Sequence, residues 1–347
     1  MLFRSDDDTG TMVSSAELRG VLEHVLSDHF CTRRRITTLD RRPSAYRSSF
    51  ALEELDACLD DGTSLPLMFK NVGQQGLLGR APAIKPAFLF DPLREIETYR
   101  TILAPARLGT ATCYGAAVDQ QAGHYWLFLE RVPGLELYQV GLPIWQEVAR
   151  WLAAMHARFT GESALPTRAM HLLNYDGDYY RHWLRRAQEF AQLAEPSQSG
   201  KARRGVAWLA ARYDQVVERL VALPTTFIHG EFYASNVLVQ EAAGELRVCP
   251  VDWEMAAVGL GLVDLAALTA GMWTEEEKEN LALAYHAALA PAGGWPPAPE
   301  AFLAALDCCH LHLAVQWLGW APQWSPPPDQ AQDWLSEALR LAEKLGL

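Results

Sequence analysis

Apolar positions recur at helical spacing through Leu18, Val21, Leu22, Val25 and Leu26, with Ser14 and Glu17 ahead of them at the spacing of a capping box. A leading amphipathic helix over residues 14–29 is therefore expected, after a loose tail at 1–12. From about Arg33 to Val72 the pattern shortens to β-like runs: Arg35–Leu39, Tyr46–Leu55 with Phe50 and Leu52 alternating, and Leu65–Asn71. Pro43-Ser44 and Asp60-Asp61-Gly62-Thr63 separate them as turns, which predicts an antiparallel meander. Asp91-Pro92 is a helix start, with Asp as the cap, Pro in the first turn and Ile96, Tyr99 and Leu103 as the apolar stripe. Strands over Thr112–Val118 and Tyr125–Glu130 would complete a five-stranded sheet carrying one helix, which Val132-Pro133-Gly134 breaks off.

Beyond that break the periodicity is helical over Ile144–Phe159, Tyr179–Leu193, Arg203–Leu223, Thr274–Leu289 and Glu300–Leu318, with a last helix near Ala331–Leu345. Thr274 and Glu277 make a second capping box. Only Thr225–Ile228, Val237–Gln240 and Leu246–Val251 read as strands there. The expected organisation is α+β, a small antiparallel sheet domain over 1–132 and a larger, mainly helical one over 133–347. Pro-rich pieces at Pro291–Pro299 and Ala321–Pro328 lie between helices and read as loops.

Half of the 347 residues are apolar and 21% are charged, which suits a folded chain of one large or two modest domains. A formal charge of −12 argues against general nucleic-acid binding, which needs a basic surface. The charge is uneven: residues 1–130 carry a net −3 and the remainder −9. The six cysteines show no C-x-x-C pair or zinc spacing, as expected of reduced thiols. The N-terminus runs into acids and lacks a signal-peptide pattern, and no window reads as a membrane span. A cytoplasmic protein acting on small molecules is the expectation.

The densest polar cluster lies in Phe227–Val239, which sets His229, Glu231 and Asn236 on a loop between two short strands. Sixteen residues after Asn236, Val251-Asp252-Trp253-Glu254 ends another strand with two acids. Oxygen donors delivered by short strands to one place suit a hard divalent cation, magnesium with a phosphate ligand above all. The chain has no H-E-x-x-H, G-x-S-x-G or G-x-x-x-x-G-K-[ST], so zinc hydrolase, serine hydrolase and P-loop readings lose their main support. His310 and His312, two residues apart on a helix, diverge and are expected to pack rather than bind metal.

In these segments the chain resembles the aminoglycoside phosphotransferase and choline kinase branch of the protein-kinase-like fold. That family's H-G-D-x-x-x-x-N loop, strand-ending D-W or D-F and following D-L-A segment are matched by His229-Gly230-Glu231 to Asn236, Asp252-Trp253 and Asp264-Leu265-Ala266. The resemblance implies transfer of the γ-phosphoryl group of ATP (or GTP) to a hydroxyl of a small-molecule acceptor, assisted by Mg2+. It implies Asn236 and Asp252 as metal ligands, Lys70 on the nucleotide phosphates and Glu95 as its ion-pair partner, with Glu97 as the second choice. It implies that the segment ending in Glu130 and Val132 meets the adenine ring, that Glu231 orients or deprotonates the acceptor, and that His229 and Asp264 support the loop. His156 is expected as a buried structural group.

Two departures stand out. The family's catalytic aspartate is Glu231 here, one methylene longer, and the alternative reading is a pseudokinase-type module that binds nucleotide without transfer. No G-x-G-x-x-G precedes Lys70; the matching segment, Arg41–Ser49, offers the backbone of Ser44, Ala45 and Tyr46, with arginines nearby that are either phosphate-directed or solvated edge charges. The acid excess of the larger domain suits a cationic amino sugar, and Trp273, Trp317, Trp320 and Trp324 suit a sugar face or pack helices.

Overall fold

The structure is a computed structural model that describes residues 13–47, 49–79, 81–161, 170–193, 196–242, 244–271, 273–289, 297–320 and 332–347. The expected loose tail, most of the two Pro-rich pieces, Trp324 and the start of the last helix lie outside the described residues. The chain divides into two compact units, one of residues 1–135 with 238–254 and one of 136–237 with 255–347.

In the first unit the leading helix α1 (Ser15–His29) starts as its spacing predicts, with Ser14 Oγ accepting the Glu17 N–H at 3.2 Å. Strands β1 (Ile36–Pro43), β2 (Ala51–Leu59), β3 (Ser64–Asn71), β4 (Cys113–Asp119) and β5 (His124–Glu130) form an antiparallel sheet in the order β1-β2-β3-β5-β4. Strand alternation sorts its faces. Leu55, Ala57, Leu59, Leu67, Phe69, Trp126 and Phe128 share a core with Leu18, Leu22, Val25 and Leu26 of α1. Lys70, next to Phe69, therefore falls on the other face, paired with Leu52 and Leu127. The expected strand from Tyr46 begins only at Ala51, while β1 runs on to Pro43; Ser44 to Ser49 is the connection.

A short helix α2 (Ala81–Ile84) precedes a longer helical stretch formed by α3 (Arg94–Glu97), a π-helical segment Thr98–Leu103 and α4 (Ala104–Ala106). Asp91 Oδ1 takes the Leu93 N–H at 2.9 Å, so the predicted cap acts just ahead of the helix. Pro105 has no N–H to offer the preceding turn, which accounts for the widened π segment. Strand β6 (Leu135–Glu136) ends this part of the chain.

The second unit is mainly helical. It is built from α5 (Leu142–Phe159), β7 (Leu173–Asn174), α6 (Gly177–Leu193), α7 (Pro196–Ala210), α8 (Tyr213–Val221) and β8 (Thr225–Ile228). The predicted single helix over 203–223 is two, parted at Ala211-Arg212. Strands β9 (Val237–Ala242) and β10 (Glu245–Pro250) follow, with most of β9 and all of β10 counted in the first unit. Arg247 ties β10 there: its guanidinium grips the Glu130 carboxylate at 2.7 and 2.8 Å and the carbonyls of Gly109 and Thr110. Strand β11 (Ala257–Leu260) pairs with β7 and β8, and α9 (Leu262–Leu268), α10 (Glu275–Leu289), α11 (Pro299–Leu318) and α12 (Trp334–Lys344) complete the fold. Thr274 and Glu277 form both bonds of their capping box.

One membrane expectation needs correcting. Helix α11 is long and apolar enough to span a bilayer, with mean hydropathy 1.3, but 56% of that window is buried. Phe302, Leu306, Leu311 and Val315 pack into the second unit's core, which explains the apolarity. The six cysteines are free thiols.

Candidate active site

In the first unit Lys70 is the centre of an ionic cluster. Its ammonium donates to Glu95 Oε2 and to Asp252 Oδ1, each at 2.6 Å. Glu95 rather than Glu97 is the partner; Glu97 pairs with Arg100 at 3.0 Å. Glu95 also uses its other oxygen, accepting the Trp253 N–H at 3.2 Å. Burial opposes the charge on Lys70, yet Asp252, Glu95 and Glu254 together outweigh it and hold its pKa above the ordinary value. Burial pushes the Glu95 carboxyl up, against the pull of Lys70 and with the push of Asp252.

Asp252 lies two residues past β10 with φ +64°, in the left-handed region that costs a non-glycine residue energy, though aspartate less than most. Its side chain keeps 26% exposure, whereas Glu95 is almost fully enclosed. Glu254, two residues on, pairs with Lys85. Lys70 and Lys85 thus face Glu95, Asp252 and Glu254, and Arg94 adds a third cation on the Glu254 carbonyl. Among the described residues no group of three or more His, Cys, Asp or Glu forms a metal cage.

The second unit holds the loop after β8. Asp264, fully buried in α9, accepts the N–H of His229 at 2.7 Å and of Gly230 at 2.8 Å. His156 lies against the same carboxylate at 3.3 Å and reaches the Tyr285 hydroxyl at 2.7 Å, so it is a buried structural group. His229 Nδ1 receives the Glu231 N–H at 3.2 Å. Asn236 donates through Nδ2 to the Glu231 carbonyl at 3.0 Å, which leaves its amide oxygen, the atom a hard cation prefers, outside that bond. Glu231 is buried; burial first and then the Glu231 charge push the Tyr233 hydroxyl up, and for Tyr175 burial and Tyr179 come ahead of it.

Other candidates are placed differently. The Ser44 N–H donates to the Leu52 carbonyl at 2.9 Å and the Tyr46 N–H to Ser44 Oγ at 3.2 Å, so neither is offered to a phosphate. Three of the six arginines at 33–47 pair with acids: Arg41 with Glu53, Arg42 with Glu54 and Asp56, and Arg34 with Asp61. Glu130 spends its carboxylate on Arg247 and Thr112 and its N–H on the Thr112 carbonyl. Val132 follows it, half-buried, beyond the last strand pair. Trp273 packs edge-on to Trp145, and Trp320 stacks on Trp183. Trp317 stacks on Trp334 and lies 6.0 Å from Tyr233 of the loop. His312 bonds the Tyr213 hydroxyl and His310 the Thr269 hydroxyl, so both pack as expected. Sequence reasoning passed over Lys85 and Arg94, which belong to no motif.

The description of the phosphotransferase enzyme family (APH) matches residues 90–303, more than half of the chain. No curated protein matches the sequence. Among solved structures the chain is similar to choline kinase from Cryptosporidium parvum Iowa II, with TM-score 0.56, 13% identity and 88% of each chain covered. It is similar to choline kinase from Streptococcus pneumoniae, with TM-score 0.54, 15% identity, and 95% of this chain and 99% of that one covered. The GDP complex of wild-type aminoglycoside 2'-phosphotransferase-IIIa gives TM-score 0.53 and 13% identity over 94% of this chain and 97% of that one. The fold is protein-kinase-like, with an antiparallel β-sheet N-lobe and a helical C-lobe. The chain therefore belongs to the APH phosphotransferase enzyme family, ATP-dependent kinases of small-molecule hydroxyl groups.

Proposed function

We propose that the chain moves the γ-phosphoryl group of ATP, or GTP, to a hydroxyl of an amino sugar, a glycoside or a related metabolite, with magnesium, cationic acceptors being favoured. The observation that carries this is the buried Lys70–Glu95–Asp252 cluster in a chain of the phosphotransferase family. Lys70 holds the α- and β-phosphates, and Glu95 keeps its ammonium in place. Asp252 and the amide oxygen of Asn236 would each offer an oxygen to magnesium. Magnesium held there would neutralise phosphate charge and template the transfer. The main chain at Val132 meets the purine.

The acceptor oxygen attacks the γ-phosphorus while its bond to the β–γ bridging oxygen breaks, and ADP leaves with that electron pair. Glu231 orients the hydroxyl and takes its proton. In a loose transition state this orienting role outweighs basicity, so a glutamate serves where the family has aspartate. His229 and Asp264 hold the loop that presents it. The acceptor class is supported by the net −9 of residues 131–347 and by Trp317 and Trp334 beside Tyr233. The solved structures named above are a choline kinase, a second choline kinase and an aminoglycoside phosphotransferase.

The test is phosphoryl transfer from radiolabelled ATP to a panel of amino sugars, amino alcohols and neutral glycosides, with magnesium and with chelator. Transfer to cationic acceptors, lost in Asp252→Ala and reduced in kcat more than in nucleotide affinity by Glu231→Ala, is expected. Tight ATP binding without transfer to any acceptor would instead make this a nucleotide-binding module.

A further inference from the structure

The segment after β3 carries a second lysine with a place in the ionic cluster. Lys85 follows α2, its side chain is only 7% exposed, and it pairs with the Glu254 carboxylate. Its ammonium lies 4.6 Å from the centre of the Phe50 ring, and that of Lys70 lies 5.7 Å from the same ring. The cavity lined by Phe50, Val72, Lys85, Phe90, Glu95 and Glu254 is about 10 Å3, room for no more than a water. Lys85 therefore works through its contact with Glu254, not by binding a ligand in that cavity.

Glu254 is held twice. Lys85 takes its side chain, and Arg94 donates to its carbonyl at 2.8 Å while also donating to the Leu89 carbonyl at 2.7 Å. Trp253 is held through its N–H by Glu95. These bonds hold the two residues after Asp252, which itself sits at φ +64° and accepts from Lys70, so the segment's direction is set on both sides of its carboxylate. We propose that Lys85, acting through Glu254, is a positioning residue that holds the Asp252 carboxylate in its metal-binding orientation. This rests on the reading of Asp252 as a magnesium ligand. A partner that orients a ligand from behind commonly changes metal affinity by tenfold or more when removed.

The experiment compares wild type with Lys85→Met, Lys85→Arg and the double variant Lys85→Met/Glu254→Gln, which leaves no unpaired buried carboxylate and keeps the shape of the pair. Calorimetry measures ADP binding with and without magnesium, kinetics measure kcat and the magnesium needed for half-maximal rate, and hydrogen exchange follows residues 248–254 without ligand. Lys85→Met and the double variant should lose about tenfold in magnesium-dependent ADP affinity with metal-free affinity unchanged, and Lys85→Arg should recover part of it. The double variant should regain the stability that Lys85→Met loses while still exchanging faster at 248–254. Wild-type magnesium dependence and exchange in the folded double variant would overturn the proposal, as would a wild-type ADP affinity indifferent to magnesium. A wild type that transfers to no acceptor, yet shows the magnesium-dependent loss in the variants, would sink the proposed function and leave this inference standing.

Discussion

Asp264 holds Gly230 by its main chain: Oδ1 accepts the glycine N–H at 2.8 Å, while Oδ2 takes that of His229 at 2.7 Å. A buried carboxylate with both oxygens on successive N–H groups fixes the direction in which the chain enters the loop. Asp264→Asn can accept only one of these bonds and turns a second donor toward the other. A loss of roughly 2–4 kcal/mol in urea unfolding, with a large fall in kcat, is expected. Unchanged stability would remove Asp264 from loop support.

Gly230 itself is required twice over. Its φ is +85°, and a Cβ there would stand 2.3 Å from the Met255 carbonyl oxygen. Gly62 has nearly the same φ, +86°, with nothing within 4 Å. Gly62→Ala should therefore show only the conformational cost, about 1 kcal/mol. Gly230→Ala should add several degrees to the fall in Tm because main-chain atoms must move. Equal losses in the two variants would mean that the close approach does not matter.

The Lys70–Glu95 pair gives a third expectation. Lys70→Met leaves two acids without their cation, and breaking a buried pair from one side costs about 3–5 kcal/mol. Adding Glu95→Gln should return part of that stability without returning activity. Denaturant titrations of the single and double variants check it; a double variant no more stable than Lys70→Met would show that the buried charge was not the penalty.

A fourth expectation concerns acid. His312 is fully buried against the Tyr213 hydroxyl, and burial pushes its pKa down to about 3 from the ordinary 6.5. Between those values the unfolded chain binds a proton that the folded one does not, so stability falls as pH is lowered through the window. The slope from this residue reaches about 1.4 kcal/mol per pH unit. His312→Gln should flatten the dependence of the urea midpoint on pH between 6.5 and 4; an unchanged slope would show that His312 is protonated in the fold.

The parts of the site that are local in sequence were legible. Lys70 and Glu95 were legible through the resemblance to the family's motifs, and the structure pairs Lys70 with Glu95 while Glu97 goes to Arg100. The loop residues His229 to Asn236 and Asp252 just past a short strand announced themselves as polar groups in apolar surroundings. The arginines at 33–47 misled in part, because a charge run carries no mark of which acids it will meet. Only the pairing of β1 with β2 brought Arg41 to Glu53 and Arg42 to Glu54.

The sequence by itself determined the class of fold and most of its longer helices and strands, since hydrophobic period and caps act over a few residues, and the family resemblance supplied the motif residues; the short strands β6, β7 and β11 and the break at Ala211-Arg212 carried no such signal. Tertiary structure decided what depends on distant partners. It spent the Ser44 and Tyr46 N–H groups inside the chain, set Asp252 at a left-handed φ, and brought Lys85 to Glu254 across 169 positions. Burial and opposite charge select such pairs only once the chain has folded, because an ion pair that far apart has no local periodicity to announce it.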